Sequence, residues 1–289
     1  MKRERCSRRQ IFRLILISAW YTNTTYNESV VTDMSLIKNN IPILEFDTDC
    51  KAVIMPDHEH LGLKLPKKAV FAFAGDAVDR YAEAHGASVA GHFDSVTKQY
   101  PVYEIVIDGQ EICLMQAPAG APAAVQILDW LISYGVREVI SCGSCGVLTD
   151  LEEDTFLIPY KALRDEGTSY HYLPPARFVD ISSAARDAIE KTMNDQNLFH
   201  REVITWSTDG FYRETKEKVE YRKSEGCEAV EMECAALAAC AESRGAVFGE
   251  LLFAADTLAD TEHYDERGWG SGSIEYAIEL CVEAVLNIQ

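Results

Sequence analysis

The chain has 289 residues, 47% of them hydrophobic, and a formal net charge of −19. That is enough apolar material for a large core and is compatible with one domain or two. The acidity argues against a nucleic-acid partner, which needs a basic patch, but not against a small anionic substrate held by a few donors, and the composition is not that of a disordered chain.

In chain order, Lys2, Arg3, Arg5, Arg8 and Arg9 precede the run Ile11 to Ile17. This superficially resembles a signal peptide, but Arg13 interrupts it and no small-x-small cleavage site follows. The run is also too short to span a bilayer. Residues 1–40 are expected to be a poorly ordered extension, with Met34 as a second start, and residues 41–289 a single domain. No later stretch is expected to cross a membrane.

From Lys67 the pattern alternates strand and helix. Ala69 to Ala74 is an apolar run of strand length ended by Gly75-Asp76. Tyr103 to Met115 predicts a hairpin turning at Asp108-Gly109. A helix is expected from Ala121 to Tyr134, with Pro122 in its first turn and Gly135 just past its end. Val139-Ile140 then leads into a glycine-rich turn, Ser141-Cys142-Gly143-Ser144-Cys145-Gly146. A helix from Glu233 to Arg244 ends at Gly245, Leu251 to Ala255 reads as a buried strand ending at Asp256, and a last helix covers Ser273 to Leu286. This alternation implies a mixed or largely parallel sheet covered on both faces. Ligands in such folds sit beyond the carboxyl ends of the strands, where Gly75-Asp76, Gly143-Ser144 and Asp256 fall, joined by Glu231-Met232-Glu233 before a helix.

The nine cysteines are an odd number. Cys113, Cys234, Cys240 and Cys281 lie in apolar runs, where a thiol packs as a small hydrophobe, so a reducing cytoplasm is the expected location. Cys142-Gly-Ser-Cys145 has redox spacing but lacks the helix a thioredoxin-type motif expects after its first cysteine. Asp57-His58-Glu59-His60 alone suggests metal, but no second His or Cys pair shares ligand spacing, so no metal is expected.

Six segments carry a resemblance. Glu231-Met232-Glu233 resembles the Glu-Met-Glu signature of the nucleoside phosphorylases that handle purine nucleosides and uridine. His60-Leu61-Gly62-Leu63, Gly75-Asp76, Gly120-Ala121-Pro122, Gly143-Ser144-Cys145-Gly146 and Ser207 to Tyr212 are similar to further segments of that family, in the same order. The resemblance covers about residues 50–289. It implies a three-layer α/β sandwich with a mixed, mostly parallel central sheet. It also implies cleavage of an N-glycosidic bond with inorganic phosphate as co-substrate and no other cofactor.

By resemblance, Glu233 accepts hydrogen bonds from the ribose 2′- and 3′-hydroxyls and Met232 packs on the sugar. His60 reaches the ribose of a neighbouring subunit, which implies a homodimer or hexamer with shared sites. Taken alone, Glu233 also reads as an ordinary first-turn acid, stabilised as the anion by the helix dipole. Glu231 is either a support for it or solvent-facing. Phe211 stacks on the base or is a core aromatic. Asp256 is the general acid at purine N7, with Arg267 as a helper. Thr215 and Glu217 stand where the uridine branch has Gln and Arg, which favours a purine.

Gly75, Arg80, Lys98 and Ser144 are left to hold phosphate. The family's three arginines are not kept: Ser141 and Asp79 replace two, and Lys98 stands for the third. Arg164 is a compensating cation by its charge alone. Weak phosphate binding follows. The alternatives are a nucleosidase using water, a uridine phosphorylase, and a nucleoside-binding protein without catalysis.

Overall fold

A run such as Ala69-Val70-Phe71-Ala72 has no polar face, so as a strand it must be covered on both sides. In the computed structural model, which describes residues 35–289, it forms the strand Lys68–Ala72, and all four residues are fully buried. The chain divides at Met55 and Pro56 into two units. The expected boundary near residue 40 falls inside the first unit, and most of the expected N-terminal extension lies outside the described residues. In the first unit β1 (Leu36–Ile37) pairs antiparallel with β2 (Phe46–Asp47).

The second unit carries the sheet. Its elements are β3 (Lys68–Ala72), α1 (Ala77–Ala84), β4 (Ser88–Asp94), β5 (Gln99–Ile107), β6 (Gln110–Gln116), α2 (Ala121–Ser133), β7 (Glu138–Val147) and β8 (Phe156–Asp165). There follow β9 (Phe178–Asp180), α3 (Ser183–Asp195), β10 (His200–Thr208), α4 (Lys216–Ser224), β11 (Cys227–Glu231), α5 (Cys234–Arg244), β12 (Val247–Thr257) and α6 (Ile274–Asn287). The strand order is β11-β10-β8-β12-β7-β3-β6-β5-β4, with β9 on β8. Parallel pairs (β3 with β6 and β7, β7 with β12, β8 with β10, β10 with β11) are joined by antiparallel ones (β8 with β12, β5 with β4 and β6), so the sheet is mixed. One core packs α2 and α5 on one face, and another packs α1, α3 and α6 on the other. This is the expected three-layer α/β sandwich.

The expected hairpin forms with Asp108 and Gly109 both at positive φ, 50° and 76°, the conformation a two-residue turn of this hand requires. Gly245 ends α5 in the left-handed conformation. Helix α5 has no amphipathic stripe: Cys234 to Ala241 are all buried. Such a helix lies wholly inside the fold, and its alanines and cysteines allow close approach from every side.

Two features depart from the sequence expectation. Ser141 to Gly146 is not a turn; it is the second half of β7. The sheet also curls, so that β11 pairs back on β7 through Ala229–Val147 and Val230–Gly146. The strands β7, β12, β8, β10 and β11 thus close into a small barrel filled by Cys145, Val147, Leu157, Val203, Ala229, Leu252 and Ala254. At the closure a Cβ on Gly146 would lie 3.0 Å from Val230 and 3.2 Å from the Asp256 carboxylate, so a larger residue at this crossing would push on both side chains. Cys113, Cys234, Cys240 and Cys281 are buried as expected, and burial drives the Cys145 thiol far above its ordinary range, which makes it inert. Among the described residues no helix is long and apolar enough to cross a membrane.

Candidate active site

The Glu-Met-Glu segment sits where β11 passes into α5. The four leading N–H groups of a helix lack intrahelical partners. Here Glu231, the last residue of β11, supplies the acceptor: its Oε2 receives the N–H groups of Glu233 and Cys234, both at 2.6 Å. Its Oε1 receives the Thr205 hydroxyl at 3.1 Å and the Ser207 hydroxyl at 2.5 Å from neighbouring β10. Ser207 in turn accepts the Ala235 N–H at 2.9 Å. Glu231 is therefore a buried positioning residue and does not face solvent.

That clamp fixes Glu233, a residue 8% exposed whose carboxylate accepts the N–H of Gly120 in the turn before α2. Gly120 holds φ at 95°, open to glycine and strained for other residues. Burial, then the charge of Glu231, pushes the Glu233 carboxyl up to about 8, and the Gly120 and Met232 N–H groups only partly oppose this. The expected stabilisation of the anion by the helix dipole is thus outweighed by desolvation. Met232, half-buried, lies between the two glutamates.

Asp256 ends the buried part of β12 and is 7% exposed. Burial raises its pKa, while the Tyr264 hydroxyl and the positive charge of Arg267 oppose the rise. Arg267 itself donates to the Leu151 carbonyl at 2.7 Å. Asp256 opens into a cleft of about 470 Å³ shared with Phe211, Tyr212, Glu214, Tyr264 and Trp269. Phe211 is 45% exposed there and stands edge-on to Tyr212, so it is not a core aromatic. Thr215 caps α4 and Glu217 lies in its first turn, both exposed and neither lining the cleft. The residue before them, Glu214, does line it.

The residues expected to hold phosphate are gathered only in part. Gly75 and Ser144 are both exposed at the carboxyl ends of adjacent β3 and β7, strands tied there by the Phe73 N–H on the Cys142 carbonyl at 2.8 Å. Lys98 donates to Gln116, at the end of β6, at 2.5 Å and lies over the Tyr100 ring. Arg80 on α1 turns to Glu275 on α6, at 2.8 Å. Ser141 is fully buried and donates at 2.9 Å to Glu250 of β12, a carboxyl raised to about 8 by burial and then by Glu231. Arg164 does not compensate: it is buried against Ser169 and the Leu173 and Pro174 carbonyls. His60 stands in an exposed turn at φ 51°, away from the cleft lining. Among the described residues no cluster of three His, Cys, Asp or Glu could hold a metal.

The sequence reading assigned no role to Glu214, Tyr264 or Glu250. Glu214 stands between the Phe-Tyr pair and Thr215, and only the fold decides which way its side chain turns. Tyr264 belongs to a segment without periodicity, and an isolated Glu in an apolar strand is a signal that Glu250 gave.

The geometry provides a buried carboxyl at a helix start and an aromatic cleft with a protonatable strand-end aspartate. The chain matches the family model described as the phosphorylase superfamily over residues 67–286. It is 27% identical over 201 residues to a guanosine phosphorylase of Halorubrum lacusprofundi, covering 65% of this chain and 81% of that one. A uridine phosphorylase structure from Vibrio fischeri superposes with a TM-score of 0.66 at 21% identity, over 78% of this chain and 94% of that one. An AMP nucleosidase structure from Bacteroides thetaiotaomicron superposes with a TM-score of 0.62 at 22% identity, over 77% and 88%. With the family model spanning most of the chain, the chain belongs to the phosphorylase superfamily.

Proposed function

We propose that the protein cleaves the N-glycosidic bond of a purine nucleoside and transfers the ribosyl group to phosphate. The observation that carries this is the cleft, in which an exposed aromatic, Phe211, and a buried carboxyl of raised pKa, Asp256, share one wall system of nucleoside size. As the C1′–N9 bond breaks, the electron pair goes to the base and a proton from Asp256 goes to N7. Positive charge develops on the ribose, and Glu233, once ionised, holds the 2′- and 3′-hydroxyls and stabilises that charge. Phosphate then bonds C1′, held by the Gly75 and Ser144 region with Lys98. Met232 packs on the sugar. The guanosine phosphorylase relative supports a purine, as does the absence of Thr215 and Glu217 from the cleft. By the same family reading, His60 completes the site of a second subunit in a homodimer or hexamer.

A second reading, hydrolysis, is favoured by the surroundings of the cations: Ser141, which by resemblance replaces an arginine, is buried against Glu250, and Arg80 pairs with Glu275. The test follows free base with and without phosphate and identifies the sugar product. Ribose 1-phosphate, with a phosphate requirement raised roughly tenfold to a hundredfold by the loss of a charged hydrogen bond, is expected. Undiminished base release without phosphate, yielding free ribose, overturns phosphorolysis.

Asp256→Asn is expected to slow natural purine nucleosides by about a hundredfold or more. Substrates with a good leaving group, which need no acid, should be nearly unaffected. An equal loss on both classes removes the general-acid role.

A further inference from the structure

Glu214 follows the single turn Phe211–Arg213 and immediately precedes Thr215, the cap of α4. This position turns its half-buried side chain into the cleft that Asp256 also enters. The nearby cations are engaged elsewhere. Lys218 binds Asp165 at 2.6 Å, and Lys216 pairs with Glu262. Asp256 has the Tyr264 hydroxyl as its partner. Among the described residues, no side chain forms an ion pair or hydrogen bond with the Glu214 carboxyl, so the cleft holds one carboxylate whose oxygens are left to solvent or to an entering ligand.

We propose that Glu214 determines base specificity by accepting the paired donors of a 2-amino-6-oxopurine, its N1–H and 2-amino N–H. This rests on the reading of the cleft as the base site. A carboxylate only accepts hydrogen bonds, and two parallel donors on a planar ligand match its two oxygens. A guanine edge offers such a pair. Hypoxanthine offers N1–H alone, and adenine places the N1 lone pair against the carboxylate. Uracil flanks its N3–H with two carbonyls that the carboxylate would repel. A site built for such donors rejects ligands that lack them, because its own acceptor is left unpaired.

Burial and the charge of Asp256 raise the Glu214 pKa to about 7, partly offset by Lys218. An incoming donor pair favours the ionised form, replacing the missing cation. The two carboxyls thus divide the base between them: Glu214 the N1 and 2-amino edge, Asp256 the N7 side.

The test is the kcat/KM of guanosine, inosine and adenosine for the wild type and Glu214→Gln, at about pH 8 where the carboxylate is ionised. It is paired with calorimetric binding of free guanine and hypoxanthine to both proteins. The wild type is expected to favour guanosine over inosine roughly tenfold to a hundredfold, with adenosine poorest. In Glu214→Gln that ratio should fall to about one, through KM rather than kcat. Circular dichroism of the variant should match the wild type, since the residue borders solvent. A wild type that does not prefer guanosine or guanine, or a preference unchanged in the variant, overturns the proposal. Tight guanine binding that the variant loses, with no nucleoside cleaved, upholds the specificity site and overturns only the catalytic reading.

Discussion

Glu233→Gln is expected to lower turnover by about a hundredfold or more, the scale seen when one charge-stabilising group is removed from a developing transition state. The loss should fall on kcat and kcat/KM together, because the contact with the ribose hydroxyls strengthens only as positive charge grows. The pH profile is a second readout. In the wild type the free protein holds this carboxyl protonated below about 8, so kcat/KM should rise as pH approaches that value. The variant should lack this limb.

Stability follows the opposite course. Between its ordinary value of 4.5 and about 8, the folded protein keeps a proton on Glu233 that the unfolded chain has lost. This contribution is fully present at the acid end and falls as pH rises to about 8. The variant carries no such burden, so its melting temperature should gain on the wild type across that window. Near-normal turnover removes Glu233 from the site, and a stability gap that does not change with pH removes the raised pKa.

Glu231→Ala should destabilise the fold by about 3 kcal/mol or more, because it strips four donors of their acceptor in a buried place. The N–H groups of Glu233 and Cys234 and the hydroxyls of Thr205 and Ser207 would all lose their partner. Desolvation of Glu231 itself works against this, since burial raises its pKa despite those four donors. Glu231→Gln keeps an acceptor and should lie between wild type and Ala. Thermal melting of the three proteins decides the matter: a drop of several degrees for Ala is expected, and equal melting temperatures would show that water replaces the clamp at no cost. Activity should fall in parallel, since Glu233 takes its position from this carboxylate.

Local signals were read from the sequence with little error because each depends on a few neighbouring residues. The hairpin at Asp108-Gly109, the glycine stop of α5, the fully apolar β3 and the buried cysteines all reflect short-range conformational or burial preference. The family segments gave the order of the site residues along the chain, and the alternation of strands and helices gave the layers. Pairing between distant strands lay beyond that reach. Ser141 to Gly146 is strand and not the expected glycine turn because its partners are far away in sequence: Ser141 to Cys145 pair with Glu250 to Ala254 of β12, and Gly146 pairs with Val230 of β11. The same distance effect governed charge. The ionisation of Glu233 depends on how much of the fold covers it, and the partners of Arg80, Arg164 and Ser141 are side chains and carbonyls that only packing brings near. Sequence determined which groups were present and which segments would carry them. Tertiary structure decided which of those groups meet, since burial and long-range pairing belong to the folded chain as a whole.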